Sequence, residues 1–225
     1  MNIAVLGTGM VGQALAGRLL ELGHAVVVGT RDPAATLARS DADAMGNPPF
    51  SAWYAAHQGV GLATFAEAAA GAELVVNASS GAVTLDVLRL AGADHLAGKV
   101  LVDIANPLDF SAGFPPSLSV KDTDSLGETV QREFPDTRVV KTLNTLNASL
   151  MVDPRSLGES STVFVSGNDA DAKATVVELL TSFGHDDVID LGDITGARGT
   201  EMLLPIWLRL MGTLGSAQFN FKIVR

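Results

Sequence analysis

Cysteine is absent from the 225-residue chain. That removes disulfide staples, a thiolate nucleophile and any cysteine-ligated metal. Aromatic residues are scarce, at 5%, too few for a base-stacking surface. Basic residues are the minority: 15 Lys and Arg against 25 Asp and Glu give a formal net charge of −10, the wrong sign for gripping nucleic acid or an anionic membrane. Long apolar runs are missing too. The longest, residues 202–208, contains Pro205 and stops at Arg209, well short of the ~20 residues a helical span needs. The first residues lack the basic stretch and apolar core of a secretion signal. A soluble, cytoplasmic protein with no membrane or nucleic-acid partner is expected.

What is present is a core-forming composition. Hydrophobic residues make up 47% and charged residues 18%, the opposite of a disordered chain. The length suits one large domain, or one domain with a small partner. Strands are predicted at residues 3–6, 25–28, 74–78, 100–104, 139–143, 163–165 and 188–191. Most are continuous apolar runs, as in parallel strands buried on both faces. Helices are predicted at 10–22, 84–91, 125–134 and 170–183. Repeated strand–helix–strand order predicts an α/β fold with a doubly wound parallel sheet and right-handed crossovers. Residues 34–59 are expected to form helix, turn and helix beside the binding cleft. Residues 106–124, with Pro107, Pro115 and Pro116, are expected to loop over a ligand. Residues 147–161 also read as loop. They mark the expected boundary between a domain at 1–150 and a smaller α/β part at 151–225.

The chemistry starts at Gly7-Thr8-Gly9-Met10-Val11-Gly12. A bare G-x-G-x-x-G carries little weight; one between an N-terminal strand and a helix is specific for a dinucleotide. Gly7 permits the tight turn, Gly9 lets backbone touch a pyrophosphate, and Gly12 lets helix and strand pack closely. The helix N-terminus supplies free N–H groups and about half a positive charge.

The second strand leads into Gly29-Thr30-Arg31-Asp32. An NAD-binding chain usually places a carboxylate here for the ribose 2′-hydroxyl. A hydroxyl and a guanidinium would instead hold a 2′-phosphate, so Thr30 and Arg31 predict NADP(H). A register shifted by one residue would put Asp32 at the ribose; otherwise it is expected to cap a helix begun by Pro33.

The nicotinamide end is less specific. Asn106, after the 100–104 strand, is placed to hydrogen-bond ribose or carboxamide, and equally to end a strand in an Asn-Pro turn. Asn144 and Asn147, with Thr142 and Thr145 nearby, are able to orient a planar heterocycle or to serve as turn residues. His24 and His185 follow glycines at helix ends, where carbonyls would engage them. No metal ligand set is spaced for binding. The apolar stripe at 203–214 reads as core or partner helix. Trp207 alternatively walls a ring-binding pocket, and Pro205 is expected to kink the helix.

Residues 3–12, Thr30-Arg31, the 144–148 segment and the closing Arg198-x-x-Glu201 pattern with Pro205 and Gly212 resemble the NADPH-dependent coenzyme F420 reductases (F420:NADP oxidoreductases) and the related small dinucleotide-binding proteins. The likeness runs over nearly the whole chain. It implies a Rossmann domain with a small C-terminal part, commonly in a homodimer. NADP(H) would lie along the sheet, with the deazaflavin packed against its nicotinamide under C-terminal residues, among them Pro205 and Trp207. By resemblance, Thr8 to Val11 would hold the pyrophosphate, Thr30 and Arg31 the 2′-phosphate, and Asn77, Ala78, Ser79 and Ala148 the nicotinamide. Two departures lie on the acceptor side. Archaeal members carry an Ile-Pro-Trp-like turn where this chain has Ala78-Ser79-Ser80-Gly81. They have His before and Pro after the position of Thr145, where this chain has Asn144 and Asn147.

No catalytic acid or base stands out, and hydride exchange between two heterocycles needs none. It needs two carbons about 3–3.5 Å apart in a dry site. The expected function is hydride transfer between NADP(H) and a deazaflavin such as coenzyme F420. The alternatives are an NADPH-dependent reductase of a flavin, quinone or small carbonyl compound, and a non-catalytic NADP-binding redox sensor.

Overall fold

The structure, a computed structural model, describes residues 1–42 and 46–225. The part of the 34–59 expectation that falls on 43–45 lies outside the described residues. The chain begins with β1 (Asn2–Leu6), α1 (Met10–Glu21) and β2 (Ala25–Thr30). Two short helices follow, α2 (Pro33–Leu37) and α3 (Phe50–Ala56), then β3 (Gly61–Thr64), α4 (Phe65–Gly71) and β4 (Leu74–Asn77). Next come α5 (Thr84–Ala91), α6 (Ala93–Leu96) and β5 (Val100–Asp103). A two-residue hairpin, β6 (Leu108–Asp109) with β7 (Ser117–Leu118), precedes α7 (Leu126–Glu133) and β8 (Arg138–Thr142). The chain closes with α8 (Ala148–Val152), β9 (Thr162–Gly167), α9 (Ala170–Phe183), β10 (Asp187–Asp190), α10 (Ala197–Met202) and α11 (Leu204–Leu214).

Eight strands form one sheet in the order β10-β9-β8-β5-β4-β1-β2-β3, the Rossmann-type α/β arrangement. From β8 to β3 all neighbours are parallel; β9 pairs antiparallel with β8, and β10 parallel with β9. The doubly wound parallel sheet is as expected, with one antiparallel pairing, β9 with β8. The link from β8 to β9 holds only the five-residue α8 and one 3₁₀ turn. No helix there is long enough to carry the chain back along the sheet, so β9 enters reversed. The expected 147–161 loop thus contains α8, and strands from both expected parts share one sheet.

Alternate residues of each strand feed two cores. Ile3 and Val5 pack with Leu15, Leu19, Leu150 and Val176 on one face; Ala4 and Leu6 pack with Phe65, Leu88 and Val130 on the other. Burial on both faces explains the continuous apolar runs. The strand β3 and helix α4 escaped the sequence pattern, being short and rich in Gly and Ala. A capping box sets the start of α4: the Thr64 hydroxyl accepts from the Glu67 amide, and the Glu67 carboxylate accepts from the Thr64 amide. Pro205 does not kink one helix. It sits in the first turn of α11, where its missing N–H has no partner to lose, and the chain divides into α10 and α11 at Leu203.

Candidate functional site

Strand order reverses between β1 and β4, with β2 on one side of β1 and β4 and β5 on the other. Ligands of open α/β sheets gather at the carboxyl ends of strands at such a switch point. The glycine loop stands there. Gly7 has φ +134°, and a Cβ on it would lie 2.6 Å from the Ala78 carbonyl oxygen at the end of β4. A Cβ on Gly12 would lie 2.2 Å from the Gly7 carbonyl oxygen. Both positions exclude any side chain. Gly9 is different: a Cβ there would meet nothing within 4 Å. The space over Gly9 at the N-terminus of α1 is what a diphosphate needs, so the loop fits a dinucleotide.

Two cavities flank this loop. One of about 930 Å³ is lined by Thr8, Gly9 and Met10, by Thr36 and Arg39 beyond β2, by Phe50 and Trp53 of α3, and by His57 just after it. Trp53 and His57 stack with ring centroids 4.2 Å apart. The two helices expected beside the cleft within residues 34–59 thus supply this wall, although neither Arg39 nor any single side chain of α3 stood out in the sequence. The signal was Phe50, Trp53, Tyr54 and His57 at helical spacing in an aromatic-poor chain. On the other side a cavity of about 280 Å³ takes Val11 from the loop, Ala78 to Gly81 after β4, Ile104 to Asn106 after β5, and Asn144 and Leu146 after β8. Leu108 and Phe110 of the hairpin, Met151, and Leu204, Trp207 and Leu208 of α11 complete its walls. None of these lining residues has an ionisable side chain. The expected 106–124 loop thus contains the β6–β7 hairpin, which lines this cavity through Leu108 and Phe110.

Residues 2–107 match the family "NADP oxidoreductase coenzyme F420-dependent". The F420-dependent NADP reductase of Methanothermobacter marburgensis is 31% identical over 219 residues, covering 93% of this chain and 92% of that protein. The chain belongs to the F420-dependent NADP reductase family. This is a family of oxidoreductases named for NADP and coenzyme F420. A crystal structure of a protein from Arthrobacter sp. FB24, described as an F420-dependent NADP-reductase, is 65% identical over the whole of both chains with a TM-score of 0.97. Metalloreductase STEAP3 of Rattus norvegicus is 30% identical over 211 residues, which is 92% of this chain but 38% of that protein. The chain therefore spans little more than a third of the metalloreductase relative's length. Among the described residues no helix is long and apolar enough to cross a membrane.

Within this family frame, the expected site residues fall into three groups. Lining the cavities are Thr8, Gly9 and Met10 on one side, and Val11, Ala78, Ser79, Asn106, Asn144 and Trp207 on the other. Asn106 and Asn144 face each other: the Asn106 amide donates to the Asn144 carbonyl at 2.8 Å, and the Asn144 amide to Asn106 Oδ1 at 3.0 Å. This pair ties the loops after β5 and β8 into one wall. At the end of β2, Thr30 is buried, with its hydroxyl 2.8 Å from that of Thr36. Arg31 is exposed and has no bonding partner among the described residues. Asp32 caps α2 as expected, accepting from the Ala35 amide at 2.9 Å. Away from the cavities stand Asn77, Asn147, Ala148 and Pro205. Asn147 caps α8 by accepting from the Leu150 amide, while its own amide donates to the Ala217 carbonyl of the C-terminal tail. Ala148 opens α8, and Pro205 is exposed on α11.

Asn77 is fully buried, and its amide donates to Asp103 Oδ1 at 2.7 Å. Asp103 in turn meets Lys141, and Lys141 meets Glu201. Neither Asp103 nor Lys141 was singled out from the sequence. Each sits at the end of an apolar strand, where nothing local announces a partner on another strand. The histidines meet the expectation through the backbone: the His24 and His185 N–H groups donate to the Leu19 and Leu180 carbonyls at their helix ends, each at 3.1 Å. The His185 ring in addition reaches the Met151 carbonyl across the core at 3.0 Å. His24 Nδ1 lies 3.5 Å from the Met1 amino group.

Proposed function

We propose that this chain catalyses hydride exchange between NADP(H) and coenzyme F420 or a related deazaflavin. The observation that carries this reading is the 280 Å³ cavity beside Val11, which joins the phosphate loop and holds no ionisable side chain. Reduction of a ketone or imine calls for a positioned proton donor; hydride exchange between two rings does not. NADPH, when bound, supplies the hydride. The protein's residues position and dry the site. The glycine loop and the α1 N-terminus hold the diphosphate, Arg31 grips the 2′-phosphate, and the paired amides of Asn106 and Asn144 present a neutral polar wall. Trp207, Phe110 and Leu204 exclude water.

In this reading residues 1–150 carry the cofactor and 151–225 roof the acceptor. The chain works in the cytoplasm as a homodimer, with exposed Met202, Ile206 and Leu214 on α10 and α11 available for the contact. Mixing protein, NADPH and coenzyme F420 and following the deazaflavin absorption tests the reaction. Bleaching is expected; confirmed NADPH binding without bleaching sinks it.

A second reading is favoured by the metalloreductase relative, similar over 92% of this chain: reduction of a flavin, quinone or other acceptor by NADPH. The Ala78-Ser79-Ser80-Gly81 turn, which lines the acceptor cavity, departs from the archaeal pattern and supports keeping it. Turnover with those acceptors and none with the deazaflavin would select it.

A further inference from the structure

Beneath the uncharged cavity lies an ion cluster in the dry interior. Lys141 Nζ is 2.9 Å from Asp103 Oδ2 and 2.8 Å from Glu201 Oε1, and none of the three side chains is more than 1% exposed. The ammonium also donates to the Ala105 carbonyl. Asp103 Oδ1 accepts from the Asn77 amide at 2.7 Å and the Ala105 N–H at 3.3 Å. Glu201 accepts from the backbone N–H groups of Leu126 at 2.8 Å and Gly127 at 3.0 Å, where α7 begins. All four carboxylate oxygens therefore face N–H donors. Burial alone would push the Lys141 ammonium toward neutrality, but the carboxylates of Asp103 and Glu201 overcome it and hold its pKa above the ordinary lysine value. Two carboxylates against one ammonium leave one net negative charge.

That charge adjoins the cavity wall. Ala105, which bonds both Lys141 and Asp103, lines the cavity. So does Ser79, whose hydroxyl donates to Asn77 Oδ1 at 2.6 Å. A charge in a water-poor interior acts over longer range than one at the surface. The two redox forms of a nicotinamide differ in charge, since the oxidised ring is cationic and the reduced ring neutral.

We propose that the Asp103–Lys141–Glu201 cluster favours the oxidised cofactor electrostatically, and so strengthens NADPH as a hydride donor in this site. The inference rests on the nicotinamide occupying the cavity beside Val11. Lys141, Asp103 and Glu201 are positioning residues, acting through Ala105, Asn77 and Ser79 rather than by contact.

Calorimetric titration with NADP⁺ and with NADPH, without acceptor, tests it. The parent protein is expected to bind NADP⁺ more tightly than NADPH. In Glu201→Gln and Asp103→Asn, which keep shape and remove one charge, the ratio of the two affinities is expected to shift against NADP⁺ by roughly five- to tenfold. Glu21→Gln, the same change on the exposed end of α1, should leave the ratio unchanged. Equal weakening of both forms in the folded variants would mean a scaffold only and overturn the proposal. So would a parent protein that prefers NADPH, a result that needs no variant to fold. Failure of the parent to bind either form would instead remove the proposed function.

Discussion

At the phosphate end of the cleft, Gly7, Gly9 and Gly12 act by having no side chain, and they lie within one turn of chain. Beneath the uncharged cavity, Asn77, Asp103, Lys141 and Glu201 act only through side chains, brought together from β4, β5, β8 and α10. The first device is backbone and leaves open space over Gly9. The second is a water-free set of charges that folds correctly only if all its members arrive. One would expect the first to fail by losing ligand and the second by losing stability.

The sharpest way to break that contrast is Lys141→Met. It leaves Asp103 and Glu201 buried without their counter-ion, and removing one partner of a buried ion pair typically costs about 3–5 kcal/mol. Urea unfolding should show that loss. The triple change D103N/K141M/E201Q, which removes every charge at once, should lose less. If Lys141→Met unfolds at the parent's denaturant midpoint, the cluster is not the brittle member of the pair.

Next in size is a comparison inside the phosphate loop. Gly12→Ala forces a methyl to within 2.2 Å of the Gly7 carbonyl oxygen, and overpacking of this kind costs about 1–3 kcal/mol or more. Gly9→Ala meets nothing in the protein, so its melting temperature should stay near the parent's while NADPH affinity falls. Thermal unfolding and calorimetry on the two variants separate the effects. Equal loss of stability in both would mean that the open space over Gly9 is not reserved for ligand.

These two regions also show what a sequence discloses. The phosphate loop was legible because its parts are contiguous and its logic is local: strand, glycine spacing, helix. Strands buried on both faces were legible for the same reason, and α5 and α9 fall at their expected bounds. The cluster was not. Lys141 ends a β-branched run that reads as core, and its two carboxylates lie far away along the chain. The reversed β9 was equally hidden, because strand direction depends on how a link runs in space. Asn144 and Asn147 show the divide within four residues. Both suited a ligand by composition, yet one faces the cavity while the other is spent on capping α8 and holding the tail.

A smaller effect sharpens the cofactor side. Arg31 is exposed and has no bonding partner among the described residues, whereas the Thr30 hydroxyl is already engaged by Thr36. Arg31→Ala should therefore reduce the preference for NADPH over NADH by about one to two decades, the worth of one charge-assisted phosphate contact. Thr30→Val should change it less. Binding titrations with both cofactors decide this. An unchanged preference in Arg31→Ala would move the selection elsewhere, with Arg39 in the larger cavity the next group to test.

The smallest expected effect contrasts Lys141 with a second buried basic group. Lys141 keeps its charge because two carboxylates face it. His185 is 2% exposed and has only the Met151 carbonyl on Nε2, with Nδ1 unpartnered. Burial lowers its pKa from the ordinary histidine value of 6.5, against weaker upward pulls from the Met151 carbonyl and Asp186. The folded protein thus holds His185 neutral while the unfolded chain protonates it below about pH 6.5. Stability from this group is complete above that pH and falls as pH drops toward the depressed folded value. The slope is at most about 1.4 kcal/mol per pH unit. His24 contributes in the same direction, since slight burial and the Met1 ammonium also lower it. Its ring is far less buried, so its share is smaller. Unfolding free energies measured between pH 7.5 and about 5 should decline in the parent and decline less in His185→Gln. Identical slopes would mean that the ring protonates within the folded core, which would then have to open toward water around α8 and α9.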